Sequence, residues 1–145
     1  MSIIDAIKSK AVRSPWLYRI NAGSCNGCDV ELATTALIPR YDVERLGCKY
    51  CGSPKHADIV LITGPVTAMV RDKVLRVYEE IPEPKVTVAV GICPISGGVF
   101  RGSYSVPIML DDIIPVDVNV AGCPPRPQAI LEGVAMALDI WKTRF

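Results

Sequence analysis

The sequence predicts an open, mainly parallel α/β sheet with helices on both faces, and two observations predict it. Four apolar runs, at 17–22, Ile59–Thr63, Val86–Val90 and 116–120, read as strands. Near-continuous apolar runs suit strands covered on both faces, as in parallel sheets. Helical patterns fall between or after them, at 29–37, 68–80 and 127–141. Strands that alternate with helices argue an open sheet of flavodoxin-like type rather than a closed barrel.

Segment 2–12 places Ile3, Ile4, Ala6, Ile7 and Ala11 roughly on one helical face. It predicts a short amphipathic helix that packs on its own domain, on a partner or on a membrane surface. The chain thus divides into an N-terminal amphipathic segment, 1–13, and a single α/β domain, 14–145. The first strand runs into Gly23 and a cysteine-bearing loop, and helix 29–37 follows. A further short strand is expected at 41–46. Asp58 and Asp117 mark the starts of the second and fourth apolar runs. Pro82 and Pro84 end helix 68–80, because proline removes a backbone donor. Helix 127–141 completes the pattern.

A chain of 145 residues is long enough to bury a core. Half of its residues are hydrophobic and 21% are charged, as in a folded globular protein. The mean hydropathy of +0.30 is high for a soluble monomer and points to apolar surface that meets another protein. A net charge of +1 leaves no electrostatic footprint for nucleic acid or an anionic membrane. No apolar run approaches the roughly 20 residues of a membrane span, and the N-terminus shows neither a signal-peptide core nor a twin-arginine motif. The expected location is cytoplasmic, where six cysteines read as ligands or free thiols rather than disulfides.

Those cysteines form two C-x2-C pairs, Cys25/Cys28 and Cys48/Cys51, and two singles, Cys93 and Cys123. The two pairs together, Cys25-x2-Cys28-x19-Cys48-x2-Cys51, fall within zinc-site spacing and describe a zinc-stabilised interaction module. The first pair joined to the two singles describes an iron–sulfur site. In open α/β sheets ligands bind outside the carboxyl ends of the strands, and Cys25/Cys28, Cys93 and Cys123 each follow a predicted strand. Glycines beside each of them allow close backbone approach. Pro94 and Pro124 stiffen the two later loops just after their cysteines. Cys48/Cys51 instead lead into the second strand and so approach its amino end, and 29–37 between the pairs is a credible helix where a ribbon would use hairpins.

The ordered motifs Gly23-Ser24-Cys25-Asn26-Gly27-Cys28-Asp29-Val30-Glu31, 53–67 through Asp58 and Thr63-Gly64-Pro65, Gly91-Ile92-Cys93, and Gly122-Cys123-Pro124-Pro125-Arg126-Pro127 together resemble the small subunit of membrane-bound, energy-converting (group 4) [NiFe] hydrogenases. Several of them also occur in the related complex I subunit that holds its terminal cluster. The resemblance runs from about Ser14 to the last helix. It implies that Cys25, Cys28, Cys93 and Cys123 ligate one [4Fe-4S] cluster, in a flavodoxin-like domain docked on a large subunit. It implies an electron relay between a ferredoxin-like iron–sulfur subunit and a [NiFe] large subunit. Integral membrane subunits that move ions, external ferredoxin as donor, and a place on the cytoplasmic side of the membrane complete the implied assembly. The same module could serve a complex I-like quinone reductase or a polysulfide or sulfane sulfur reductase. Separation of Cys25 and Cys28 by Asn26-Gly27 follows the hydrogenase style, since complex I relatives carry adjacent cysteines there.

Glu31, three residues after Cys28, matches a family glutamate near the subunit interface that is a candidate for proton transfer. An acidic residue there also complements a helix N-terminus. Asp29 reads as structural. Arg126 reads as an anchor of the proline-rich turn or a charge near the cluster, and His56, the single histidine, as surface or interface. Cys48/Cys51 depart from the family pattern: incidental thiols, an interface element, or a redox-labile pair able to form a disulfide.

Overall fold

The computed structural model describes residues 3, 4 and 14–144. Of the segment expected as an amphipathic helix, only Ile3 and Ile4 are described, both helical and exposed; the rest of 1–13 lies outside the described residues.

Five parallel strands make one sheet: β1 (Trp16–Asn21), β2 (Lys49–Tyr50), β3 (Ile59–Thr63), β4 (Val86–Val90) and β5 (Val118–Val120). Their order is β2-β1-β3-β4-β5, the doubly wound flavodoxin-like arrangement. Besides the helical Ile3 and Ile4, four α-helices among the described residues accompany them: α1 (Gly27–Leu37), α2 (Arg71–Glu79), α3 (Ile92–Ser96) and α4 (Pro127–Arg144). Alternation along the strands sorts the core into two layers. Leu17, Ile59, Leu61, Val86, Val88 and Val118 pack with Leu32 of α1 and Val134 and Trp141 of α4 on one face. Ile20, Val60, Ile62 and Ala89 pack with Val74 of α2 and with Leu110 and Ile114 on the other. Both faces are covered, which is why β3 and β4 are buried at every position.

Asp58 and Asp117 start their strands by a shared device. Each carboxylate accepts a backbone N–H of the neighbouring strand, Asp58 from Trp16 at 2.9 Å and Asp117 from Thr87 at 2.9 Å. Arg144 pairs with Asp117 and donates to Lys85 O, which draws α4 past its expected end at 141. Trp141 fixes the same helix by donating from Nε1 to Pro84 O at 3.2 Å.

The expected strand at 41–46 is not formed. That stretch makes two 3-10 turns, Pro39–Tyr41 and Val43–Leu46, the second opened by Asp42, whose side chain accepts from Glu44 N–H. The additional strand, β2, falls later, between Cys48 and Cys51. Helix 68–80 shortens to Arg71–Glu79; Ala68 N–H is bonded to Ser105 O, and the first i→i−4 bond runs from Arg71 N–H to Thr67 O.

Candidate functional site

Register sets the site. Asn21 pairs with Thr63, Thr63 with Val90, and Val90 with Val120. Four strands therefore end flush, and the loops that follow start side by side. The loop after β1 carries Cys25 and leads into α1 at Cys28; the loop after β4 opens α3 at Cys93; the loop after β5 carries Cys123. Backbone bonds tie these loops together: Gly91 N–H donates to Val120 O at 2.8 Å, Ile92 N–H to Gly122 O at 2.9 Å, and Ala22 N–H to Thr63 O at 2.9 Å.

The four thiols are brought within each other's electrostatic reach. Cys28 is buried, Cys93 half-buried, and Cys25 and Cys123 are exposed. The Cys28 thiol is pushed up to about 11, first by burial and then by Cys93, Cys25 and Cys123, with Asp29 adding to it. Cys93 rises through burial and through Cys123 and Cys25. Thiolates so placed repel one another until a cation replaces their protons.

Backbone gives the sulfurs room. Gly91 has φ +91°, and a methyl group on it would stand 2.6 Å from Cys28 Sγ. Only glycine lets the start of α3 approach that sulfur. Methyl groups on Gly98 and Gly27 would stand 3.5 Å from Cys93 Sγ and 3.6 Å from Cys25 Sγ. Among the described residues, no group of three or more His, Cys, Asp or Glu side chains is arranged to hold a metal ion. Ligands of a four-iron cluster bind different irons, so they surround a body rather than meet on one ion. Four thiols at one sheet edge with bare glycine against their sulfurs fit such a group.

Cys48 and Cys51 lie elsewhere. Lys49 N–H donates to Pro15 O and Cys51 N–H to Leu17 O, so both cysteines sit beside the amino half of β1. At about 3.3 Å per residue, that is roughly 16 Å from the end of β1. The two are also divided by the sheet: Cys48 belongs to the α1/α4 layer and Cys51 packs on the α2 layer. The zinc-type set Cys25/Cys28/Cys48/Cys51 is not assembled.

Asp29 is structural, but not as a cap. It turns into the sheet and is 7% exposed. It accepts from Asn21 Nδ2 at 2.8 Å and Thr63 Oγ1 at 2.9 Å, and pairs with Arg19 at 3.2 Å. Asn21 in turn receives Gly23 and Ser24 N–H on its Oδ1, which shapes the turn into Cys25. Sequence reasoning missed this network. Its signal was polar Arg19 and Asn21 at alternate positions of an otherwise apolar strand. Glu31 is half-buried on α1, just past its first turn rather than on it, and Arg126 and His56 are exposed. An apolar rim adjoins Cys93: Val99 and Phe100 follow Gly98, and the exposed Met69 and Tyr104 flank the Ala68–Ser105 bond. No helix among the described residues is long and apolar enough to cross a membrane.

The comparisons with known proteins agree with this architecture. The chain is 58% identical over 127 residues to a probable membrane-bound hydrogenase subunit of Pyrococcus furiosus, covering 88% of this chain and 75% of that protein. It is 46% identical over 139 residues to formate hydrogenlyase subunit 7 of Escherichia coli, covering 96% of this chain and 54%, about half, of that relative. Among solved structures it matches one of an archaeal membrane-bound sulfane sulfur reductase with a TM-score of 0.80 at 35% identity, over 95% of this chain and 76% of that one. An NAD+-reducing [NiFe]-hydrogenase chain shares the fold, with a TM-score of 0.65 at 22% identity over 92% of this chain and 94% of that one. Residues 25–137 match the model of the 20 kDa subunit of NADH ubiquinone oxidoreductase, and the chain belongs to that family of oxidoreductase-complex subunits.

Proposed function

We propose that this chain is the electron-relay subunit of a membrane-bound, ion-translocating [NiFe] hydrogenase. One [4Fe-4S] cluster, held by Cys25, Cys28, Cys93 and Cys123, supplies one-electron transfer when bound. The single observation that carries this reading is the delivery of four thiols to one sheet edge, with Gly91 bare against Cys28 Sγ. The rest of the chain serves that edge. Uncapped amides at the start of α1 favour negative charge on the sulfurs. The rim of Met69, Val99, Phe100 and Tyr104 offers an apolar docking face for the large subunit that carries the nickel–iron centre. Its other partners are a ferredoxin-like iron–sulfur subunit, integral membrane subunits and external ferredoxin, on the cytoplasmic side of the membrane. Glu31, three residues after Cys28 on α1, passes protons at that interface in this reading.

Anaerobic purification with iron analysis and EPR of the dithionite-reduced complex tests the relay. The expected result is about four iron per chain with a cluster signal; one zinc and no signal sinks it. Glu31→Gln should slow hydrogen evolution while leaving the EPR signal intact.

The likeness to the sulfane sulfur reductase structure favours a second reading, the same relay in a sulfur-reducing complex. Hydrogen evolution from reduced ferredoxin by the purified complex supports the first; sulfane sulfur reduction without hydrogen supports the second.

A further inference from the structure

The Arg19–Asp29 ion pair lies against the cysteine loop, with Asp29 next in sequence to Cys28. Its carboxylate is buried, while Arg19 reaches it from solvent with 47% of its side chain exposed. Three donors converge on it: Arg19 and Thr63 on Oδ1, Asn21 on Oδ2. Asn21 passes the constraint to the Gly23 and Ser24 amides ahead of Cys25. A buried carboxylate is costly unless it is paired and hydrogen-bonded, so a site that needed only a rigid turn had cheaper means. Asp29 follows Cys28 directly in the chain, and Asn21 ties its carboxylate to the turn that leads into Cys25, so its charge stands beside the ligand loop.

We infer that Arg19 and Asp29 form a charge-compensated positioning pair that sets the reduction potential of the group held by Cys25, Cys28, Cys93 and Cys123. This rests on the reading of those thiols as cluster ligands. Electron uptake adds one negative charge to the cluster. The bare Asp29 carboxylate opposes that uptake, and the Arg19 guanidinium cancels part of the opposition. A purely structural pair would make both single variants disturb the loop alike. A charge pair makes them move the midpoint in opposite directions, because one removes a cation and the other an anion.

The test is an EPR-monitored redox titration of the anaerobically purified complex. Arg19→Gln should lower the midpoint and Asp29→Asn should raise it. The change in the reduction equilibrium should be on the order of tenfold for Asp29→Asn, about 59 mV for a one-electron couple, and smaller for the half-exposed Arg19. The Arg19→Gln/Asp29→Asn double variant should return close to wild type. Arg19→Lys, which keeps the charge without the guanidinium fork, should stay close to wild type as well. Shifts of the same sign, or unmoved midpoints in variants that keep their iron, overturn the inference. Should Asp29→Asn shed its iron, the Arg19 series decides alone: equal shifts for Gln and Lys overturn the pair, and a shift for Gln only supports it. Wild-type complex without iron overturns the cluster reading and this inference with it.

Discussion

Cys25 and Cys28 leave the carboxyl end of β1 on a loop that turns into α1, whereas Cys48 and Cys51 flank the two-residue strand β2 beside the amino half of β1. Both pairs have the same C-x2-C spacing. In the first, the loop-to-helix turn brings both sulfurs toward Cys93 and Cys123: the other three cysteines act on Cys28, and Cys123 and Cys25 act on Cys93. In the second, strand alternation sends the side chains to opposite faces. Cys48 then sits in the core and is raised by burial against the pull of Lys142, with no other cysteine acting on it. Spacing describes a ligand pair only where the backbone between the two residues curls.

The largest effect that separates these regions is loss of the metal group. Cys93→Ser or Cys123→Ser should remove the iron and the reduced-state EPR signal, while Cys48→Ala and Cys51→Ser should keep both. Iron lost from the Cys48 or Cys51 variants and retained in the Cys93 variant would reverse the comparison.

Next come the glycines of the two regions. Gly91→Ala puts a methyl group 2.6 Å from Cys28 Sγ at φ +91°, whereas a methyl group on Gly52, beside Cys51, meets nothing within 4 Å. Strain and overpacking together should cost Gly91→Ala about 3 kcal/mol; Gly52→Ala should stay within about 0.5 kcal/mol. Denaturant unfolding and iron retention read both, and equal effects would remove the special status of the carboxyl edge.

A smaller difference concerns alkaline pH. Cys48 is pushed from 9.0 to about 11, chiefly by burial. Its folded-state value lies above its unfolded one, so the folded state resists ionisation. The associated stability is complete below pH 9 and is lost as pH rises toward 11. Two pKa units correspond to at most roughly 2 to 3 kcal/mol. Urea unfolding at pH 8 and pH 11 should show the wild type losing more stability than Cys48→Ala over that interval. Parallel losses would mean that the thiol is not desolvated as its 1% exposure requires.

The same contrast shows what was legible in the sequence. The buried strands β3 and β4 were readable to the residue because their five-residue apolar runs, rich in β-branched residues, are bounded by Gly64-Pro65 and by Pro84 and Gly91, too short and too sharply flanked for a buried helix. The positions of Cys25, Cys28, Cys93 and Cys123 followed, since each lies just past such a run. β2 was not readable: two residues, Lys49 and Tyr50, carry too short a pattern, and Val43, the buried apolar residue of 41–46, belongs to a 3-10 turn packed in the layer of α1 and α4. α3 was hidden for a similar reason, since Ile92–Ser96 is five residues long with a proline inside it. The Asp29 network escaped because its partners, Arg19, Asn21 and Thr63, converge only after β1 pairs with β3. A carboxylate on a first helical turn is ordinarily read as favouring the helix N-terminus; here a buried acceptor with three donors anchors the helix to the sheet.

The smallest expected effect is a null that only this structure predicts. A C-x2-C pair in one short stretch invites a disulfide, and a redox-labile Cys48–Cys51 bond was one reading of the sequence. The sheet forbids it without local unfolding. The Cys48 side chain packs with Leu17, Leu32 and Trp141, while Cys51 packs across the sheet and donates from Sγ to Ser53 O at 3.4 Å. A disulfide needs Cβ vectors that face each other, and joining these two requires β2 to detach from β1. Mild oxidation of the folded complex, followed by alkylation and peptide mapping, should therefore find no Cys48–Cys51 cross-link. The same treatment in urea, where β2 is free, should form it. A cross-link formed as readily in the folded protein as in urea would show that β2 opens easily, and the second pair would then be a redox element after all.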